Sequence, residues 1–187
     1  MVKRRSLAAL RREVEPVEQV AYARFLAEWQ GVGSRSRGTD AVLSTLEQLA
    51  GYAMPASAVE SIILPARVED YRPSMLDELT TAGELSWIGD GPIGERDGWI
   101  RFFLPDTDPP AAAGGVESAQ ARRLLEAFSQ GGAHFFDALL PADAGVDRSS
   151  WVGALWELVW GGLVTCDTFT AVRNLATGGA HKTTRRP

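Results

Sequence analysis

A mainly α fold with small β hairpins (α+β), built as two tandem winged-helix-like modules, is what this chain predicts, and two observations carry it. The first is an order that occurs twice: an amphipathic helix, a glycine brake and then a strand, in MLDELTTAGELSWIG at 75–89 and in WVGALWELVWGGLVTCD at 151–167. The glycines that end the two helices, Gly83 and Gly161 or Gly162, lie about 78 residues apart, as an internal repeat would place them. The second is DTDPPAAAGG at 106–115, a Pro, Ala and Gly linker between the copies.

Each element follows from local pattern. Residues 1–38 form a basic lead-in and a connecting helix: Leu7 and Leu10 sit among arginines. Pro16 then introduces a helix from about Val17 to Gln30, with Val17, Val20, Tyr22, Phe25, Leu26 and Trp29 mostly three and four apart. That spacing predicts one core-facing side, Trp29 included. GVGSRSRG at 31–38 reads as a linker or loop.

Residues 39–105 form the first module. Thr39 or Asp40 caps a helix to about Ala50 with the stripe Val42, Leu43, Leu46 and Leu49. Pro55 opens a third helix, Ala56 to about Ile63, and Pro73 a fourth, whose Met75, Leu76 and Leu79 face inward while Asp77 and Glu78 face water. Gly83 stands where a helix end commonly needs a left-handed residue. Glu84 to Gly89 and Trp99 to Leu104 read as antiparallel wing strands around the turn-rich GDGPIGERDG. Beyond the 106–115 linker, residues 116–175 repeat the outline incompletely, with helices near 117–130, 134–140 and 149–160 and a strand at Leu163 to Asp167. Residues 176–187 read as a disordered tail.

Charge restricts the function classes. The net charge of −5 consists of +4 over residues 1–13, +4 over 171–187 and −13 between them. Affinity for nucleic acid comes mainly from Lys and Arg displacing counterions, so an acidic body grips a strand only locally. The presumptive recognition helix 73–82 has no Lys or Arg, which argues against a free-standing transcriptional regulator reading the major groove. The single Cys166 excludes an internal disulfide and suits a reducing cytosol, where it reads as a small buried hydrophobe. No apolar run approaches the ~18–20 residues that cross a bilayer, so no membrane partner is expected and the cytoplasm is the expected location.

Candidate contacts with DNA are the wing residues Trp87, Trp99, Arg96 and Arg101, with Arg35 and Arg37 of the 31–38 loop. Trp99 and Arg101, two apart on one strand, share a face. An exposed aromatic beside a guanidinium is how single strands are commonly held, each stacked base being worth ~1–3 kcal/mol. The alternative for each Trp is packing onto the helix at 72–82, and for Arg67, Arg72, Arg96 and Arg101 ordinary solvation. Trp156 and Trp160 read as core.

No catalytic or metal residue is expected. His134 and His181 form no ligand cluster with Cys166, Ser149 and Ser150 read as helix caps, and Asp106 and Asp108 lie in the linker without an acid or base partner at a defined offset.

The phrases EVEPVEQVAYARFLAEWQGVG, ILPARVEDYRPSMLDELTTAGELSWIG and HFFDALL with ALWELVWGGLVTCDTFTAVRNL together resemble the accessory, post-motor region of the large helicase-related (Lhr) family of superfamily 2 DNA helicases, from about Arg4 to Leu175. The resemblance implies a parent enzyme whose two RecA-like motor domains use ATP and Mg to unwind DNA 3′-to-5′ in repair. It implies as partners single-stranded DNA, or DNA with a 3′ single-stranded tail, and the motor itself. The sequence has no GxxxxGK[ST] loop and no DExH box, so the expectation is a noncatalytic, excised or truncated piece that needs no cofactor of its own. Related tandem winged-helix glycosylases carry a Gln-x-Gln motif, which does not occur here. The alternatives are a winged-helix regulator, or a protein-docking module whose helix at 17–30 packs on other domains.

Overall fold

The computed structural model describes residues 16–109, 111–112, 114–129, 131–141 and 147–176. The basic lead-in 1–13 and all but the first residue of the tail lie outside them. Among the described residues the protein is α+β, with eight α-helices and one three-stranded antiparallel sheet.

Helix α1, Gln19–Trp29, is followed by α2, Gly38–Gln48. A two-residue strand β1, Met54–Pro55, leads into α3, Ala56–Ala58, which continues as a wider π turn over Val59–Ile63. Helix α4, Pro73–Thr81, precedes the wing strands β2, Ser86–Pro92, and β3, Gly98–Phe103. The sheet order is β1-β3-β2, with Met54 opposite Ile100 and Trp87 opposite Phe102. Helices, a short strand and a two-stranded wing in this order make 38–103 a winged helix. The short β1 was not expected: a Pro that opens a helix hides the pairing of Pro55 with Trp99.

The apolar stripes meet as predicted in this module. Val42 and Leu46 of α2, Val59 and Leu64 of the second helical segment, and Leu76 and Leu79 of α4 pack on the inner sheet face of Trp87, Ile100 and Phe102. Gly83 (φ +73) ends α4 in the left-handed conformation that a side chain would strain. Gly162 (φ +74), rather than Gly161, is its counterpart after α7.

The second region comprises α5, Ala119–Phe128, capped by the Ser118 hydroxyl, α6, Phe136–Leu139, α7, Arg148–Trp160, and α8, Thr170–Ala176. Helix α7 buries apolar residues on two of its sides. One side packs Trp151, Ala154 and Leu158 against Ala121 and Leu124 of α5; the other gives Val159 and Trp160 to the winged-helix core. It crosses β2 so closely that a Cβ on Gly89 would overlap the Val159 carbonyl, and one on Gly98 would enter the Trp160 ring.

Three expectations are corrected. The 163–167 strand is absent: that segment touches β2 through Thr165, whose hydroxyl donates to the Trp87 carbonyl (2.6 Å), and then turns into α8. The second region therefore contributes no strand among its described residues. Secondly, α1 has no core side; residues 16–29 are exposed, Trp29 at 64 %. Its polar ties to the body lie at its C-terminal end, where the Gln48 amide and the Arg67 guanidinium donate to the Trp29 and Gln30 carbonyls. Thirdly, Asp77 does not simply face water. It accepts from the Phe169 backbone N–H and from Arg173, and so anchors α8.

Candidate nucleic-acid interface

A winged helix can offer nucleic acid its third helix, its wing, or both. Here the third helix is α4, and the C-terminal part of the chain holds it. Arg173 on α8 donates to Glu60 on the π turn (2.6 and 2.8 Å) and to Asp77 on α4 (3.2 Å). Tyr71 donates its hydroxyl to the same Glu60 (2.7 Å). Burial, then the Glu60 carboxylate, push the Tyr71 phenol far above its usual range, while the Glu60 bond holds the Arg173 guanidinium in its charged form. With Asp77 engaged in this way and no Lys or Arg within it, α4 itself carries no cation for a phosphate.

The wing is differently placed. Asp97 accepts from the Ser57 N–H and hydroxyl and from the Gly98 N–H, fixing the base of the wing to the start of α3. Strand alternation puts Trp99 and Arg101 on the outer sheet face, where Trp99 is 40 % exposed. Arg101 is not a free cation: it bonds Asp90 on β2 (2.6 and 2.9 Å) and the Gly51 carbonyl (2.8 Å). Arg96 at the wing turn is exposed and forms no ion pair among the described residues. Trp87 faces the opposite way, 1 % exposed, its ring edge-on to Phe169 at 5.7 Å, and its indole N–H has no partner among the described residues. The packing alternative thus describes Trp87, and no base can reach it.

The 31–38 loop is tied down over its length. Gly33 donates to the Ala66 carbonyl, Ser34 to that of Arg67, and Glu69 to that of Ser36. Arg37 pairs with Glu69 (2.7 Å), whereas Arg35 is exposed and has no such partner among the described residues. Of the six sequence-predicted contacts, Trp99, Arg96 and Arg35 are therefore available. Arg37 and Arg101 reach a phosphate only in competition with a carboxylate.

Sequence reasoning missed a groove behind the wing. It has a volume of about 1290 Å³ and lies between the wing turn at Gly91–Arg96, the strap at Gly114–Glu117, and helices α7 and α8. Its aromatic wall is Trp156, half-buried and stacked on Trp160 with centroids 5.1 Å apart and planes at 28°. Both were expected as core; Trp160 is, and Trp156 is only partly so. The signal was present in the pairing of Trp156 with Gly153, one turn earlier on the same helix, which leaves the groove open at that point. Glu157 accepts from the Glu117 and Ser118 backbone N–H groups (2.6 and 3.0 Å). Burial alone would raise its pKa, but hydrogen bonding to the Ser118 side chain and to these two backbone groups prevails and holds it below the usual carboxylate value.

Among the described residues no three His, Cys, Asp or Glu side chains cluster as metal ligands, and no helix is long and apolar enough to cross a membrane. Burial, then Asp167, push the Cys166 thiol up, which disfavours the reactive thiolate.

Comparison with known proteins places this geometry. Residues 17–105 match the winged-helix domain of the large helicase-related protein. The whole chain is 47 % identical over 201 residues to "Lhr helicase/ probable uracil glycosylase" of Mycolicibacterium smegmatis. Over 209 residues, 97 % of the chain, it is 37 % identical to "Lhr helicase/uracil glycosylase" of Escherichia coli K12. It spans only 13 % and 14 % of the lengths of these two relatives.

Proposed function

We propose, since this chain belongs to the large helicase-related (Lhr) family as part of its winged-helix-containing accessory region, that it guides single-stranded DNA and catalyses no reaction itself. The parent would be a 3′-to-5′ DNA helicase of the cytoplasm acting in repair, its RecA-like motor domains supplying the ATP and Mg chemistry. In the relatives that share this sequence, over four-fifths of the length lies outside the matching segment and could house such a motor. The 116–175 region is a second, incomplete winged-helix-like module separated by the 106–115 linker, because its first three helices, α5 to α7, end on Gly162 as α4 ends on Gly83.

The observation that carries the reading is the division of labour in the winged helix. Its third helix is acidic and fastened by Arg173, while its wing presents Trp99 and an exposed Arg96. Such an arrangement suits stacking and backbone contact without base-sequence readout. The test is fluorescence anisotropy of a labelled single-stranded oligonucleotide, titrated with salt and compared with a duplex. Single-strand binding in the micromolar range that weakens with salt, and falls about tenfold in Trp99→Ala or Arg96→Ala, is the expected result. Equal binding by all three proteins overturns the assignment to the wing.

A second reading is favoured by one specific observation. Helix α1 presents Tyr22, Phe25, Leu26 and Trp29 to solvent, Phe25 and Trp29 stacked at 5.8 Å, an apolar face of the kind that protein partners cover. On this reading α1 docks against other domains of the longer polypeptide. A folded chain that binds no strand at low salt would make docking its main role.

A further inference from the structure

The groove behind the wing has the chemistry of a base-stacking site. Its volume of about 1290 Å³ exceeds the ~300–1,000 Å³ usual for a small-molecule pocket and suits a stretch of an extended polymer. Its aromatic wall is a Trp pair on a rigid helix, Trp156 backed by Trp160. Its surface is rich in glycine. At Gly115 and Gly153 a Cβ would meet nothing within 4 Å, so the backbone is approachable there, and the half-buried Trp156 lines the groove beside Gly153. Its mouth is the wing turn, where Arg96 carries an exposed charge.

The acidic residues set the orientation of a bound strand. Glu157 is engaged by the Glu117 and Ser118 backbone N–H groups, leaving Glu95 and Glu117 as exposed carboxylates of the lining. Glu95 on the wing turn and Glu117 on the strap repel a phosphate from the groove, whereas the neighbouring Arg96 is the cation of the lining that attracts one. Carboxylate oxygens also accept hydrogen bonds from the amino and imino groups of bases.

We infer that this groove takes bases of single-stranded nucleic acid, one stacked on Trp156, with the strand's backbone held outside at Arg96. The inference rests on the strand-guiding reading above and adds to it where the bases go: behind the wing, not only across its outer face.

The test uses the whole chain with a labelled oligothymidine, and two variants that leave the wing intact. Trp156→Leu removes the stacking surface. Gly153→Met fills the groove from a position where added atoms meet open space and where glycine disfavours the helix, so the fold is retained. Each folded variant is expected to bind about tenfold more weakly than the parent chain, the loss of about one stacked base. An oligonucleotide carrying a photoreactive uracil is expected to crosslink to the peptide containing Trp156. Unchanged affinity in Gly153→Met together with crosslinking confined to Trp99 overturns the groove while leaving the strand-guiding reading standing. No binding by the parent chain overturns both.

Discussion

Phe169→Ala is expected to destabilise the winged helix by about 3–5 kcal/mol, although Phe169 lies more than sixty residues beyond the end of the matching winged-helix domain at residue 105. Phe169 is 1 % exposed, edge-on to Trp87 and tilted against Phe102 with centroids 6.0 Å apart. It packs on the inner sheet face in one core with the module's own helices. Its backbone N–H is fixed to Asp77 (2.9 Å), so the ring cannot withdraw without breaking the start of α8. Removing it opens a cavity between sheet and helix, and the polar tie limits how far the cavity can collapse. Urea denaturation measures the effect, with Phe135→Ala as a control: that ring is 88 % exposed and its loss should change stability by less than about 0.5 kcal/mol. A loss below about 1 kcal/mol for Phe169→Ala would mean that the sheet does not need its distal partner.

The second large effect concerns the ionic fastening of α8. Arg173→Met removes the guanidinium that bridges Glu60 and Asp77, and leaves two half-buried carboxylates without their shared cation. Stranding a buried charge costs about 3–5 kcal/mol, and the quarter exposure of Arg173 reduces this to about 2–4 kcal/mol. The diagnostic result is recovery. Adding Glu60→Gln and Asp77→Asn to Arg173→Met should restore more than half of the loss, because neutral amides need no counter-charge and the amide oxygen introduced by Asp77→Asn still accepts from the Phe169 N–H. A triple variant no more stable than Arg173→Met alone would show that the loss comes from packing of the Arg173 stem rather than from charge.

What the sequence made legible was whatever depends on near neighbours. The stripes Val42/Leu46 and Met75/Leu76/Leu79 identified core faces, Gly83 marked a helix end, and alternation along 98–103 separated Trp99 from Ile100. Periodicity could not say what a face packs against. It assigned Trp29 to a core when α1 stands clear of the body, and left Asp77 to solvent when its partner was Arg173, 96 positions away. Helix α8 was missed for the same reason: Phe169 and Val172 have a destination only once the sheet is folded. The strand expected at 163–167 failed because a glycine brake after a helix specifies a change of direction, which the chain uses to cross Gly89 and reach α4 instead of pairing. In the candidate site, Trp99 and Arg96 were legible as wing residues by spacing alone. The groove was not, since its walls come from four segments between residues 91 and 175.

Hydrogen exchange with and without saturating single-stranded DNA measures most directly where a strand touches the chain. Slower exchange is expected over the wing at 91–101, the strap at 114–117 and the start of α7 at 149–157, with α4 at 73–81 unchanged. Protection centred on α4, with the wing unaffected, would contradict it.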